Sequence, residues 1–413
     1  MAIVNYTGFE TGASDSEYPG LSGTASIVTT PVKTGTYSLR VNPTTTGVGF
    51  LNFQNLDAAG IDAEFNIVTS YIQFNFRYAV KPAANSEMIF RARTTAFALK
   101  ANVRIDSAGK LSIYDSTNTI IGSAGATVLA VDTWYGIRIK IGTGATAAYE
   151  VQINTGSGFV SELSGTAGLT TSNMAYPNLG KPADSNGNTV DFFYDDYIID
   201  NADYPTAGAV VKAIIPTANS GTMTWTSGTG ASDYTQVDDR PYDDADYVMS
   251  PTTGNPNIGL FTGASMATLG ISGTILALKL VGRLRENTTV SSASFIRIKS
   301  SMSTADTTAV NRTTTLANSI YKMALVDPAT SVAWTTSGLD AVEFGAVENN
   351  AVSTRLTSIL VMVLYAPATT IGIQVNIADV WKEATGVQIN IGDVWKTVTK
   401  VELNIGDVWK TIF

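Results

Sequence analysis

Asp195 and Asp196, followed by Tyr197, are the first residues in this chain whose types and spacing offer chemistry. Adjacent carboxylates supply hard oxygen ligands for calcium or acceptors for sugar hydroxyls, and an aromatic ring beside them can lie against a sugar face. All three are therefore candidate ligand-facing residues. On a strand the two aspartates would point to opposite faces, so one can be structural while the other looks outward. The structural reading is the stronger of the two.

Asp238, Asp239, Asp243, Asp244 and Asp246 form the densest acidic run. Their spacing matches neither an EF-hand nor a nonapeptide calcium pattern. They read as a solvated turn whose carboxylates cap backbone N–H groups, so no metal site and no cofactor is assigned. Tyr71, Tyr78, Tyr135, Tyr149 and Tyr197 are candidates for stacking on sugar rings, although aromatics at alternating strand positions mostly belong to a core. The chain has no cysteine and no histidine. That composition excludes disulfides, His/Cys zinc sites, Ser-His-Asp and Cys-His catalysis, and histidine pH switching.

The remaining candidate is a repeat. Trp381, Trp395 and Trp409, each followed by a lysine (Lys382, Lys396, Lys410), recur at a period of 14 in IQVNIADVWKEAT, VQINIGDVWKTVT and VELNIGDVWKTIF. The period divides into a strand of five, a turn of two, a second strand of five and a link of two, which predicts a meander of three hairpins. Gly392-Asp393 and Gly406-Asp407 place glycine first, as a type II′ turn requires; Ala378-Asp379 fits less well. Three of the six tryptophans lie here, and tryptophan is a preferred interface anchor. The six Trp and Lys residues are read as a partner interface for attachment or oligomerisation. The plain alternative is a tryptophan ladder inside one sheet.

The elements that must position these residues are strands. Period-2 alternation marks 71–78, 101–105, 111–114, 134–141 and 149–153 in the first half, with hairpin loops at 106–110 and 154–158. In the second half strands are predicted at 209–215, 274–284, 295–299, 320–326 and 342–347. The run ILVMVLYA at 359–366 is far shorter than a membrane span and reads as a buried strand. At 413 residues, 44% hydrophobic and 15% charged, the chain can bury more than one core. A net charge of −9 argues against a nucleic-acid surface. The N-terminus MAIVNYTGFE has no basic and apolar leader pattern, which fits assembly in a cytoplasm.

Phe9-Glu10-Thr11-Gly12, the segment Thr34-Gly35-Thr36-Tyr37-Ser38-Leu39-Arg40-Val41, Thr133-Trp134-Tyr135 and Phe193-Tyr194-Asp195-Asp196-Tyr197-Ile198-Ile199 together resemble the concanavalin A-like, laminin-G-like jelly roll. The resemblance covers nearly all of residues 1–205 and implies two curved antiparallel sheets. Laminarinase-type relatives of that fold carry an E-x-D-x-x-E strand for glycoside hydrolysis, which needs two placed carboxylates. No such spacing occurs here. The stretch VDDRPYDDADYV at 237–248, with Trp334 and the later AVEFG at 341–345, resembles a β-sandwich domain of tailed-bacteriophage structural proteins, and the terminal repeats resemble those appended to such proteins.

The expectation is an all-β chain: a jelly roll over 1–205, a phage-type β-sandwich over 206–367, and three β-hairpin repeats over 368–413. The resemblances imply a non-enzymatic virion protein of the tail or fibre type, attached through its repeats and offering its jelly roll to a host-surface glycan. Its partners would be other virion proteins and further copies of itself, with neither nucleic acid nor membrane insertion. A capsid decoration protein and a secreted bacterial glycan-binding module are the alternatives.

Overall fold

The structure, a computed structural model of the chain, describes residues 3–13, 20–56, 62–182, 187–228, 233–286, 292–312, 319–350 and 352–368, with six short strands between 373 and 411. The alternating segments become antiparallel strands. Ser70–Val80, Leu99–Asp106, Leu111–Tyr114, Tyr135–Ile141 and Ala147–Asn154 contain or nearly coincide with the five strands expected in the first half. Alternation succeeds because each has one face in water or polar contact and one in the core.

Two sheets build the first lobe. The first sheet runs Phe159–Ala167, Ala147–Asn154, Tyr135–Ile141, Ser70–Val80, Asp191–Asp200, Ser38–Val41 and Ala25–Val28, with Ile3–Thr7 also paired to Asp191–Asp200. The second runs Leu111–Tyr114, Leu99–Asp106, Ser86–Arg93, Tyr176–Lys181, Gly49–Asn52 and Leu21–Gly23. Phe74, Phe76, Ile137, Ile139 and Tyr194 from the first sheet meet Phe90, Val103, Ile113 and Leu179 from the second in one buried layer. Burial of this kind contributes roughly 1.5–3 kcal/mol per large apolar side chain.

The second lobe is another sandwich. Its third sheet runs Thr226–Ser227, Val248–Met249, Thr354–Pro367, Gly273–Glu286 and Ser319–Ala324, with Val210–Ile214 paired to Thr354–Pro367. The fourth runs Pro216–Asn219, Asn257–Gly263, Glu343–Glu348, Ser292–Ser300 and Ser303–Asp306, with Val310–Arg312 paired to Ser292–Ser300.

The unbroken apolar run at 359–366 has a specific cause. Ile359, Val361, Val363 and Tyr365 enter the second lobe's own core, whereas Leu360, Met362 and Leu364 pack on Ile3, Tyr6 and Ile198 of the first lobe. A strand covered on both faces needs apolar residues at every position. The two lobes accordingly share a layer, and residues 1–367 form one compact unit. Tyr6 donates its hydroxyl to the Met362 carbonyl at 2.8 Å, and the buried Lys279 ammonium donates to Asn5 Oδ1 and the Tyr6 carbonyl, each at 3.0 Å. The segment 201–208 between the lobes is tied down: Tyr204 donates to Glu150 at 2.9 Å and Arg138 to the Pro205 carbonyl.

The C-terminal unit spans Ala368–Phe413. Ile373–Ile377 pairs with Val380–Ala384, Gln388–Ile391 with Val394–Thr397, and Glu402–Ile405 with Val408–Thr411. Each pair is a two-stranded ladder of its own. Each opposes an asparagine to a tryptophan: Asn376 to Trp381, Asn390 to Trp395 and Asn404 to Trp409.

Candidate functional site

Three stretches far apart in sequence meet at Asp195 and Asp196. Asp191–Asp200 slips register against Ser70–Val80 between Asp195 and Ile198, and Asp196 takes a left-handed φ of 48°. This bulge defeats the expected alternation. Both carboxylates reach the same loop: Asp195 accepts the Lys33 and Thr34 N–H groups at 2.8 and 3.1 Å, and Asp196 accepts the Thr34 hydroxyl at 2.8 Å. Asp196 also accepts Asn75 Nδ2 at 2.9 Å and, from the second lobe, the Val211 N–H at 2.7 Å.

Glu10 closes the other side of the loop, accepting the Thr36 and Tyr37 N–H groups at 2.9 and 3.3 Å and lying 3.4 Å from Arg240 of the second lobe. Gly35 is required between them: its φ is 65°, and a Cβ there would stand 2.0 Å from Glu10 Oε1. Burial pushes the Glu10 carboxyl up to about 7 and Asp196 up to about 6. Asp195 is raised well above the usual carboxylate range by burial and then by the adjoining Asp196 charge.

Asp195, Asp196 and Tyr197 are each 0% exposed, so the expectation that they face a ligand is corrected. The bulge turns the aspartates onto backbone donors, and Tyr197 sits in the core, edge-on to Phe53 at 4.9 Å. Tyr78, Tyr135 and Tyr149 are also buried, and Tyr71 packs edge-on to Tyr204 at 5.2 Å. In the acidic run, Asp244 makes a two-pronged pair with Arg283 at 2.8 Å and accepts the Thr357 hydroxyl at 3.0 Å. The side chains of Trp381, Trp395, Trp409, Lys382, Lys396 and Lys410 lie outside the described residues.

A different set of residues converges on the second sheet. On its face away from the core, Tyr114 opposes Asn102, Asn102 opposes Arg91, Arg91 opposes Asn178, and Asn178 opposes Asn52. One row therefore crosses five strands, about 19 Å at ~4.8 Å per strand. Arg91 Nε donates to Asn178 Oδ1 at 3.0 Å, and its guanidinium lies 5.7 Å from the Phe50 ring centroid. Arg104 donates Nε to Asn102 Oδ1 at 2.7 Å and covers the Tyr114 ring at 4.4 Å. Arg93 donates to Asn52 Oδ1 at 2.8 Å and lies over Phe97 at 5.1 Å; Phe97 in turn stacks on Tyr176 at 4.4 Å.

The side chains of this row are thus held before any ligand arrives. Guanidinium groups grip carboxylates, sulfates or phosphates through fixed donors, amides serve both donor and acceptor hydroxyls, and the aromatic rings offer apolar faces. At the Tyr114 end a groove of about 600 Å³ is lined by Ser86, Arg104, Ser112, Tyr114 and Asn118. At the other end Phe97 stands 58% exposed at the hairpin between Ser86–Arg93 and Leu99–Asp106.

The strand pattern named two of these five strands, at 101–105 and 111–114, without naming the row. A signal was present: the non-core positions of 101–105 hold Asn102 and Arg104, and those of 90–93 hold Arg91 and Arg93, where a merely solvated face would accept serine or threonine.

No family model and no curated protein matches the sequence. Among solved structures the chain is similar to the cellulose-induced protein Cip1, at 15% identity and a TM-score of 0.38 over 48% of this chain and 97% of that one. It is similar to the endo-β-1,4-glucuronan lyase of Trichoderma reesei, at 13% and 0.35 over 49% and 96%. A carbohydrate esterase of the Shiga toxin-encoding bacteriophage phi24B gives 12% and 0.31 over 44% and 88%. Alginate lyases are found as well. These likenesses are to an all-β sandwich and bring no substrate to this chain. They do correct one expectation: several of the similar structures are polysaccharide lyases, with an esterase beside them, so the reading of the chain as a non-enzyme is withdrawn.

Proposed function

We propose that the chain is a virion structural protein whose first lobe holds an extended acidic glycan along the Tyr114–Asn102–Arg91–Asn178–Asn52 row. The observation that carries this reading is the row itself. In a chain of net charge −9 it gathers Arg91, Arg93 and Arg104 beside four asparagine and aromatic partners on one sheet face. Asn102 and Asn178 are 0% exposed and Arg91 8%, so a polymer lying across the strands would meet the half-buried Tyr114, Arg93 and Asn52 and the exposed Phe97, with the buried amides and guanidinium fixing them from behind. The virion assignment draws on the phage resemblance of the second lobe and on the terminal repeats, whose role is attachment.

The test is retention of polygalacturonate against neutral dextran by the full chain, with polymer length measured in the same samples so that turnover is scored beside binding. Polygalacturonate should bind in a salt-sensitive manner, and Arg91→Ala should weaken it at least about tenfold, about 1.4 kcal/mol. Equal retention of dextran, or an unchanged Arg91→Ala variant, would sink the reading. For attachment, replacing Trp381, Trp395 and Trp409 together by alanine should leave the melting of residues 1–367 in place while abolishing incorporation into particles. Global unfolding would instead make the repeats part of the fold.

A further inference from the structure

The first sheet has a transverse row of its own. On the face away from the core, Asn75 opposes Gly136, Gly136 opposes Asn154, and Asn154 opposes Phe159. Glycine in the middle of such a row leaves a gap between the side chains. A hollow of about 270 Å³ lies there, walled by Trp134 and Phe159, rimmed by Lys33, and closed on one side by Gly208, Ala209 and Val210 at the start of the second lobe. A Cβ on Gly136 would come within 2.9 Å of the Phe159 ring and 3.2 Å of Asn154 Cβ, so the glycine is what keeps the hollow open.

Its walls are fixed from behind. Phe159 lies 4.0 Å from the Arg138 guanidinium, and Arg138 is itself held by Gln73 Oε1 at 2.9 Å and by the Pro205 carbonyl. Asn75 spends its amide N–H on Asp196 at 2.9 Å, which leaves its carbonyl oxygen as an acceptor. Asn154 does the reverse: its Oδ1 accepts the Gly156 and Gly158 N–H groups at 2.8 and 3.1 Å, leaving its NH₂ as a donor. Lys33 adds a second donor at the rim.

We propose that this hollow is a separate saccharide subsite that takes the ring of one uncharged pyranose. Trp134 and Phe159 supply faces for the C–H side of a sugar ring, and Asn75, Asn154 and Lys33 supply the mixed acceptor and donors that hydroxyls need. The volume suits about one ring and is at the small end of ligand pockets. An acidic sugar is disfavoured, because Lys33 is the one cation lining the hollow and it already interacts with the buried Asp196 charge. The subsite shares no residue with the arginine row, so either can fail without the other.

The experiment uses tryptophan emission of the full chain titrated with the methyl β-pyranosides of glucose, galactose and N-acetylglucosamine, and with methyl glucuronide as the acidic comparison. Among the described tryptophan side chains, Trp225 and Trp334 are buried at 1% and 3% exposure, whereas Trp134 is half-buried at the hollow. The expected result is a saturable change with at least one neutral pyranoside that disappears in Trp134→Phe and weakens at least fivefold in Lys33→Ala, an exposed position whose loss leaves the fold intact. Isothermal calorimetry on Gly136→Ala, which narrows the floor, should show the same loss. The proposal is overturned if no neutral pyranoside saturates, if the change persists in Trp134→Phe, or if methyl glucuronide binds more tightly than every neutral sugar.

Discussion

The two sheets of the first lobe enclose one core and turn opposite outer faces to different surroundings. The second sheet carries cations, amides and rings from Tyr114 to Asn52. The first carries Phe159, Asn154, Gly136 and Asn75 and ends at Asp195, where the second lobe covers it. The difference shows how one topology serves two purposes. Where another lobe docks, polar residues become a desolvated network tied to its backbone and the sheet's edge becomes apolar at Ile3, Tyr6 and Ile198. Where no lobe docks, polar side chains pair with one another along the sheet, with Asn102 and Asn178 buried between the half-buried Tyr114 and Asn52.

The comparison breaks most severely at Tyr6. Tyr6→Ala removes a fully buried ring from the layer between lobes together with its bond to the Met362 carbonyl. A loss of about 3–5 kcal/mol is expected, read in urea as a lower midpoint and as separate transitions for the two lobes; a single unshifted transition would show that the docked face is not what couples them. Asp196→Ala comes next. It strands the Val211 N–H, the Thr34 hydroxyl and the Asn75 amide, and about 2–3 kcal/mol should go.

The third effect is pH-dependent. The Glu10 and Asp196 carboxyls titrate higher in the folded chain than in the unfolded one, at about 7 and about 6. Between the unfolded values near 4 and these folded values the native state binds more protons than the unfolded state, so stability falls as pH rises through that window. Urea midpoints should therefore drop from pH 5 to pH 8, and Glu10→Gln should flatten the slope. A midpoint that rises with pH would contradict the buried-carboxyl account. The smallest stability effect belongs to the second sheet. Tyr114→Phe removes only a hydroxyl that lies 3.2 Å from Ser86 Oγ, so less than about 1 kcal/mol is expected in stability, with a clear loss of polygalacturonate affinity.

Much of this fold was legible from periodicity. The expected strands at 111–114, 274–284 and 359–366 appear as Leu111–Tyr114, Gly273–Glu286 and Thr354–Pro367, because one-sided burial writes an alternating pattern and two-sided burial a continuous one. The ligand-facing assignment of Asp195, Asp196 and Tyr197 failed for a local reason. Alternation predicts opposite faces only while the register holds, and here a bulge and a left-handed Asp196 intervene. The motifs whose resemblance suggested a jelly roll are mutual supports: Glu10, Gly35 and Asp196 all grip or border the loop at 33–37.

The sequence by itself determined the all-β class, the positions of the strongly alternating and continuously apolar strands, the exclusion of histidine and cysteine chemistry, and the 14-residue period of Trp381, Trp395 and Trp409. These are properties of single segments or of composition. Tertiary structure decided which polar residues stand together: Arg91 beside Asn102 and Asn178, Asn75 beside Gly136, and Asp196 beside Val211. Such neighbours are set by the register between strands far apart in the chain, as Ile3 is from its partner Asp200. Register depends on the summed fit of two whole strands and their turns, and no local pattern records it.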